Sequence, residues 1–154
     1  MKLRPGITSF FEGHERDSIP KYSIAEFKHL VHALALLQGS KIGSISECGI
    51  TPNFHTAELQ MEGTRLFVLG HSNFPVIAFV EQLNHADQQL RFVDNLNVAG
   101  EISRLCPEVE IGQTSDLSRL ITNDDLAVLT VVEQKQVAYW KPRTIGQLVF
   151  NWWD

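Results

Sequence analysis

The chain has 154 residues, 44% hydrophobic and 20% charged, a balance that excludes intrinsic disorder and is long enough to form one core without disulfide or metal staples. Eighteen acidic against thirteen basic residues leave a net charge of −5, with Lys and Arg scattered singly. Nucleic acid and anionic lipid are therefore poor partners, and a basic protein surface is a good one.

Residues 1–21 hold two prolines, two glycines and the polar run "EGHERDS", and read as an irregular lead-in lying across the domain. Ser23 and Glu26 then form a capping box, in which each side chain satisfies the other's backbone N–H. Ile24, Phe27, Leu30, Val31, Leu34 and Leu37 follow at helical spacing, and Gly39 supplies the stop. His29 and His32 fall opposite this stripe. No third ligand stands at matching spacing, so they read as solvated side chains and not as a metal pair.

From Lys41 the period shortens towards two. "KIGSISEC" reads as a short edge strand, followed by strands over 57–61, 65–70 and 75–82 with turns at Glu62-Gly63 and Ser72-Asn73. "PVIAFV" is apolar throughout, as in a strand covered on both faces or one whose outer face meets a helix. A further strand is expected over 88–94, after a turn at His85-Ala86-Asp87.

A short helix follows, with Asn97 as the candidate cap and Val98, Ile102 and Leu105 as its buried face, ending before Pro107. A turn of helix is expected over "SDLSRLI". "DLAVLTVV", rich in β-branched residues, reads as a strand returning through Glu133 to Gln136 into "VAYW". Thr144 and Gln147 repeat the capping-box spacing, which predicts a helix over 145–153 with Ile145, Leu148, Val149 and Trp152 on one face. Gln147, Asn151 and Asp154 fall on the opposite face, and Phe150 and Trp153 flank the apolar arc. Burial of this arc is of the order needed to hold the helix, which is expected beside the N-terminal one. A chain cut after Pro142 is expected to unfold or aggregate. The predicted fold is α+β: a single domain over 1–154, with a mainly antiparallel sheet of about five to six strands packed against an N-terminal helix and a short C-terminal helix.

The sequence holds no nucleophile elbow, Walker loop, dinucleotide fingerprint, zinc-protease motif or EF-hand loop, and no cofactor or metal is expected. The two cysteines, Cys48 and Cys106, show neither disulfide-framework nor zinc spacing. A thiol site would need Cys48 activated by His55, or Cys106 by a distant histidine. Glu12, His14, Glu15 and Asp17 form an acidic cluster in the lead-in. Asp124 and Asp125 are either turn formers or a pair of carboxylates placed to dock a basic partner. Three tryptophans raise the expectation of a binding surface, although a core position is the commoner explanation for any one of them, and Trp153, on the flank of the apolar arc, faces either the core or a partner. No apolar run reaches membrane-span length and the opening residues lack the apolar stretch of a leader, so a cytoplasmic location is expected, with no membrane partner.

The ending "AYWKPRTIGQLVFNWWD" and the central "VLGHSNFPVIAFVE" resemble small bacterial immunity proteins of contact-dependent inhibition and Rhs-type toxin loci. The resemblance covers about the last third of the chain and one central hairpin. It implies a non-enzyme that binds one cognate toxin domain, basic and of nuclease type in many such systems, and blocks its active site or its substrate approach. No toxin-contacting residue carries over. The speculative contact set, Asp124, Asp125, Glu12, Glu15, Asp17 and Trp153, rests on the residues alone. The competing readings are a small thiol-based enzyme and a subunit or regulatory module whose apolar ending pairs with another chain.

Overall fold

Ser23 starts the first helix as its spacing to Glu26 predicts. In the computed structural model, which describes all 154 residues, the Ser23 hydroxyl accepts from the Glu26 N–H and the Glu26 carboxylate accepts from the Ser23 N–H at 2.8 Å. Helix α1 (Ile24–Gln38) ends at Gly39 in the left-handed region, with φ 58°. It buries Phe27, Leu30, Val31, Leu34 and Ala35, whereas Leu37, expected on the buried stripe, is exposed.

Strands β1 (Lys41–Ser46), β2 (Phe54–Met61), β3 (Thr64–His71), β4 (Val76–Asn84) and β5 (Gln89–Val93) form an antiparallel meander in that order. Helix α2 (Leu96–Leu105) follows, capped by Asn95 and not by Asn97: the Asn95 side chain accepts from the Val98 N–H at 3.0 Å. Val98 and Ile102 are buried as expected, and Leu105 is exposed. The two-residue strand β6 (Glu110–Ile111) lies parallel to the start of β4. The fold is therefore α+β, with a six-stranded, mainly antiparallel sheet.

Alternation along the strands sends apolar residues to both faces. Ala57, Leu59, Leu66, Val68, Ile77 and Phe79 meet α1 and α2. Phe54, Leu69, Val76, Ala78 and Val80 face the other way, onto Leu3 and Ile7 of the lead-in and onto the last quarter of the chain. Gly70 sets the distance on the first face, because a Cβ there would stand 2.5 Å from the Phe27 ring.

The last quarter corrects two expectations. After α3 (Thr114–Leu117), the predicted hairpin is instead two helices, α4 (Asn123–Ala127) and α5 (Val131–Trp140). Each starts with a capping box, Thr122 with Asp125 and Thr130 with Glu133. These local bonds outweigh the β preference of the "VLTVV" run. The terminal helix is also shorter than expected: α6 (Ile145–Val149) keeps its Thr144 and Gln147 cap but gives way to extended backbone at Phe150. The cause is tertiary. The Asn53 N–H donates to the Asn151 carbonyl at 3.0 Å, and the Asn151 N–H donates to Asn53 Oδ1 at 2.9 Å, which draws the chain out of the helix. Asn151, expected on the polar side, is 2% exposed. α6 packs on the face opposite α1 and not beside it, because β4 is apolar on both sides.

Candidate functional site

Every tryptophan of the chain lines the same cleft. Trp140 ends α5, Trp152 and Trp153 follow α6, and together with Phe92, Lys141 and Arg143 they border a half-open hollow of ≈ 500 Å³. That volume lies within the usual range of binding clefts. Trp140 and Trp153 stack with ring centroids 6.4 Å apart and planes 4° from parallel. Trp152 meets Phe54 edge-on at 5.0 Å. All three side chains are partly exposed, whereas Phe150 beneath them is fully buried.

Local chemistry explains how the walls are held. Lys141 closes α5 in the left-handed region, with φ 51° and its N–H on the Val137 carbonyl at 2.8 Å, so the chain reverses before Pro142. Arg143 is then fixed on both sides of its backbone. Its N–H donates to Gln147 Oε1 at 2.7 Å, and its carbonyl accepts from the Ile121 N–H at 3.1 Å. Gly146 allows α6 to approach α3 closely, since a Cβ there would lie 3.0 Å from the Leu117 carbonyl oxygen. Asn151 holds the tryptophan pair from below. Its amide donates to the carbonyls of Thr8 and Leu148 at 3.2 and 3.1 Å, while its oxygen accepts from the Trp153 N–H at 3.2 Å.

A buried polar network anchors this side of the molecule. The Glu133 carboxylate is 0% exposed and accepts from the N–H groups of Gly6, Thr8 and Thr130 and from the Thr8 hydroxyl, at 2.9 to 3.0 Å. It ties the lead-in to α5. His71 Nδ1 accepts from the N–H groups of Asn73 and Phe74, so Nε2 carries the proton and donates to the Ile7 carbonyl at 2.7 Å. Burial pushes the His71 pKa down to about 4.

The residues singled out from the sequence are dispersed. Trp153 stands in the cleft and is also a wall of an adjacent hollow that includes Phe10 and Arg16. Glu12 and Asp17 are exposed. Glu15 is partly covered, its carboxylate accepting the Glu12 N–H at 2.9 Å. Asp124 is exposed, but Asp125 is bound by both arms of Arg119 at 2.7 and 2.9 Å and caps α4. The Arg119 guanidinium holds the Asp125 carboxyl well below the usual carboxylate range. Asp125 is thus a structural carboxylate.

The His55 ring is not free to serve the Cys48 thiol. His55 Nδ1 accepts the Cys48 backbone N–H at 3.0 Å and Nε2 donates to the Tyr22 carbonyl at 2.9 Å, so both ring nitrogens are engaged by main chain. Burial pushes the Cys48 thiol pKa up, the opposite of activation. Burial raises Cys106 as well. His29 and His32 are exposed, and no group of three or more His, Cys, Asp or Glu is placed to hold a metal ion. No helix is long and apolar enough to cross a membrane.

No family model, curated protein or solved structure matches the chain. The site is therefore read from its own geometry. Sequence reasoning missed Trp140, Lys141 and Arg143 as cleft residues and Glu133 and Asn151 as their support. The available signals were the Thr130 to Glu133 capping spacing and the Lys-Pro step after Trp140.

Proposed function

We propose that the chain is an immunity-type binding protein that neutralises a cognate toxin domain by direct contact, with the tryptophan cleft as its anchor. One observation carries the reading: the three tryptophans converge on one half-open cleft built on a rigid, hydrogen-bonded base. Partly exposed Trp on a preorganised support is the side-chain type that dominates binding energy at protein interfaces. The net charge of −5, with Glu12, Asp17 and Asp124 exposed, speeds encounter with a basic toxin domain such as a nuclease. The resemblance of the ending to immunity proteins of toxin loci supports the same class.

The test is neutralisation. A toxin domain encoded beside this gene is expressed in cells with and without the chain, and growth is followed. The intact protein is expected to restore growth, and a Trp140→Ala, Trp153→Ala double variant that melts like the parent is expected to fail. Full protection by the double variant would remove the cleft from the reading, and absence of protection by the intact chain would remove the reading itself.

A further inference from the structure

We infer that the tryptophan cleft receives an acidic segment of the partner, a carboxylate side chain flanked by an apolar one. The inference rests on the reading of the cleft as a partner anchor and concerns what that anchor accepts. None of the sixteen residues lining the cleft is Asp or Glu, although acidic residues outnumber basic ones in the chain. Two of the sixteen are cations, Lys141 and Arg143. Both are exposed, and neither takes part in any of the seven ion pairs of the molecule.

Gln147 adds a donor beside the two cations. Gln147 spends its oxygen on the N–H groups of Arg143 and Thr144, at 2.7 and 3.3 Å, which leaves its amide as a donor. The cleft therefore carries positive charge and no negative charge, so a complementary occupant brings an acceptor with negative charge. A guanidinium matches the two oxygens of a carboxylate. Phe92 and the stacked Trp140 and Trp153 give the adjoining apolar wall.

A nucleic-acid strand presents the same aromatic and anionic chemistry but fits less well. A strand of several phosphates needs a track of cations, and two cations in a net-negative molecule do not make one. An acidic segment within a basic partner is consistent with the long-range field. Net charge acts over the approach, out to about a Debye length, while groups in contact choose the register.

The probes are the capped tripeptides acetyl-Leu-Glu-Phe-amide, its Gln and Lys counterparts, and an oligothymidylate, each titrated into the full chain at low salt with tryptophan fluorescence as the signal. The Glu peptide is expected to saturate, the Gln peptide to bind about three- to tenfold more weakly, and the Lys peptide not to bind. In a Lys141→Gln, Arg143→Gln protein with an unchanged melt, the Glu and Gln peptides are expected to bind alike. Four outcomes would overturn the inference: equal binding of the Glu and Gln peptides by the parent, preference for the Lys peptide, tighter binding of oligothymidylate, or no saturation by about 10 mM, a concentration that corresponds to very weak affinity. None of these bears on toxin neutralisation, which is judged on the toxin domain. Conversely, a toxin domain that fails to bind while the Glu peptide binds ends the immunity reading and leaves the cleft assignment in place.

Discussion

The sheet face under α1 and α2 is closed by aliphatic and aromatic side chains, with His55 lying against Phe27 as its main polar member. The opposite face also has an apolar centre, but Glu133, His71, Asn53 and Asn151 are buried around it and bonded to main chain. The first face is joined by helical and strand periodicity. The second is joined by bonds between the lead-in, the start of β2, the end of β3 and the last quarter of the chain. The difference shows where this molecule places directional bonding: the first face is held by close packing, whereas the buried network of the second also fixes the directions of its bonds. The tryptophan cleft is built on that second face.

The contrast is broken most severely by removing residues 143–154, which takes away the fully buried Ile145, Leu148, Val149 and Phe150. Loss of a cooperative urea transition is expected, and a retained sharp transition would mean that the first face stands alone. Next in size is Glu133→Ala, which leaves three N–H groups and one hydroxyl without their acceptor. Urea melts are expected to show a loss of about 3–5 kcal/mol, and a loss under about 1 kcal/mol would contradict the role given to this carboxylate.

Acid should separate the two faces. His71 is held neutral when folded, with a pKa of about 4, against about 6.5 unfolded. The unfolded chain takes up a proton that the folded chain refuses. Stability is therefore full above about pH 6.5 and falls towards pH 4, by about 3 kcal/mol for a shift of this size. Asp125 works lower on the scale: its depressed pKa gives stability that is kept above the ordinary carboxylate range and lost beneath it. Urea melts at pH 7 and pH 4.5, with hydrogen exchange at the end of β3, check the first window. A flat profile would count against the buried neutral imidazole.

A smaller effect probes the face under α1 and α2. Gly70→Ala sets a methyl against the Phe27 ring and is expected to cost about 1–3 kcal/mol by thermal melt. The smallest is Asp124→Lys, expected within about 0.5 kcal/mol of the parent in stability. In a stopped-flow experiment with a basic toxin domain it is expected to slow association, because the change removes an exposed negative charge.

The same contrast governs what could be read from the chain. The stripe from Phe27 to Leu34, the Ser23 cap and the strand meander repeat at fixed short intervals, so local pattern was sufficient. The Asn53 to Asn151 bonds and the three bonds from the lead-in to Glu133 join residues remote in sequence, and no period records them. The run 126–132 shows local signals in conflict. Its β-branched residues pointed to a strand, while Thr130 with Glu133 marked a helix start, and the helix formed. In the candidate site, residue type alone singled out Trp153, which lines the cleft. Its stack with Trp140 and the cations beside it depend on the left-handed turn at Lys141, which is neither Gly nor Asn.

The most direct measurement is titration calorimetry of the cognate toxin domain that the proposal calls for against the intact chain and against Trp153→Ala, with matched thermal melts. The account expects the single variant to weaken binding by at least about thirtyfold, the scale of a hot-spot tryptophan. Equal affinities for the two proteins would contradict the cleft as the anchor.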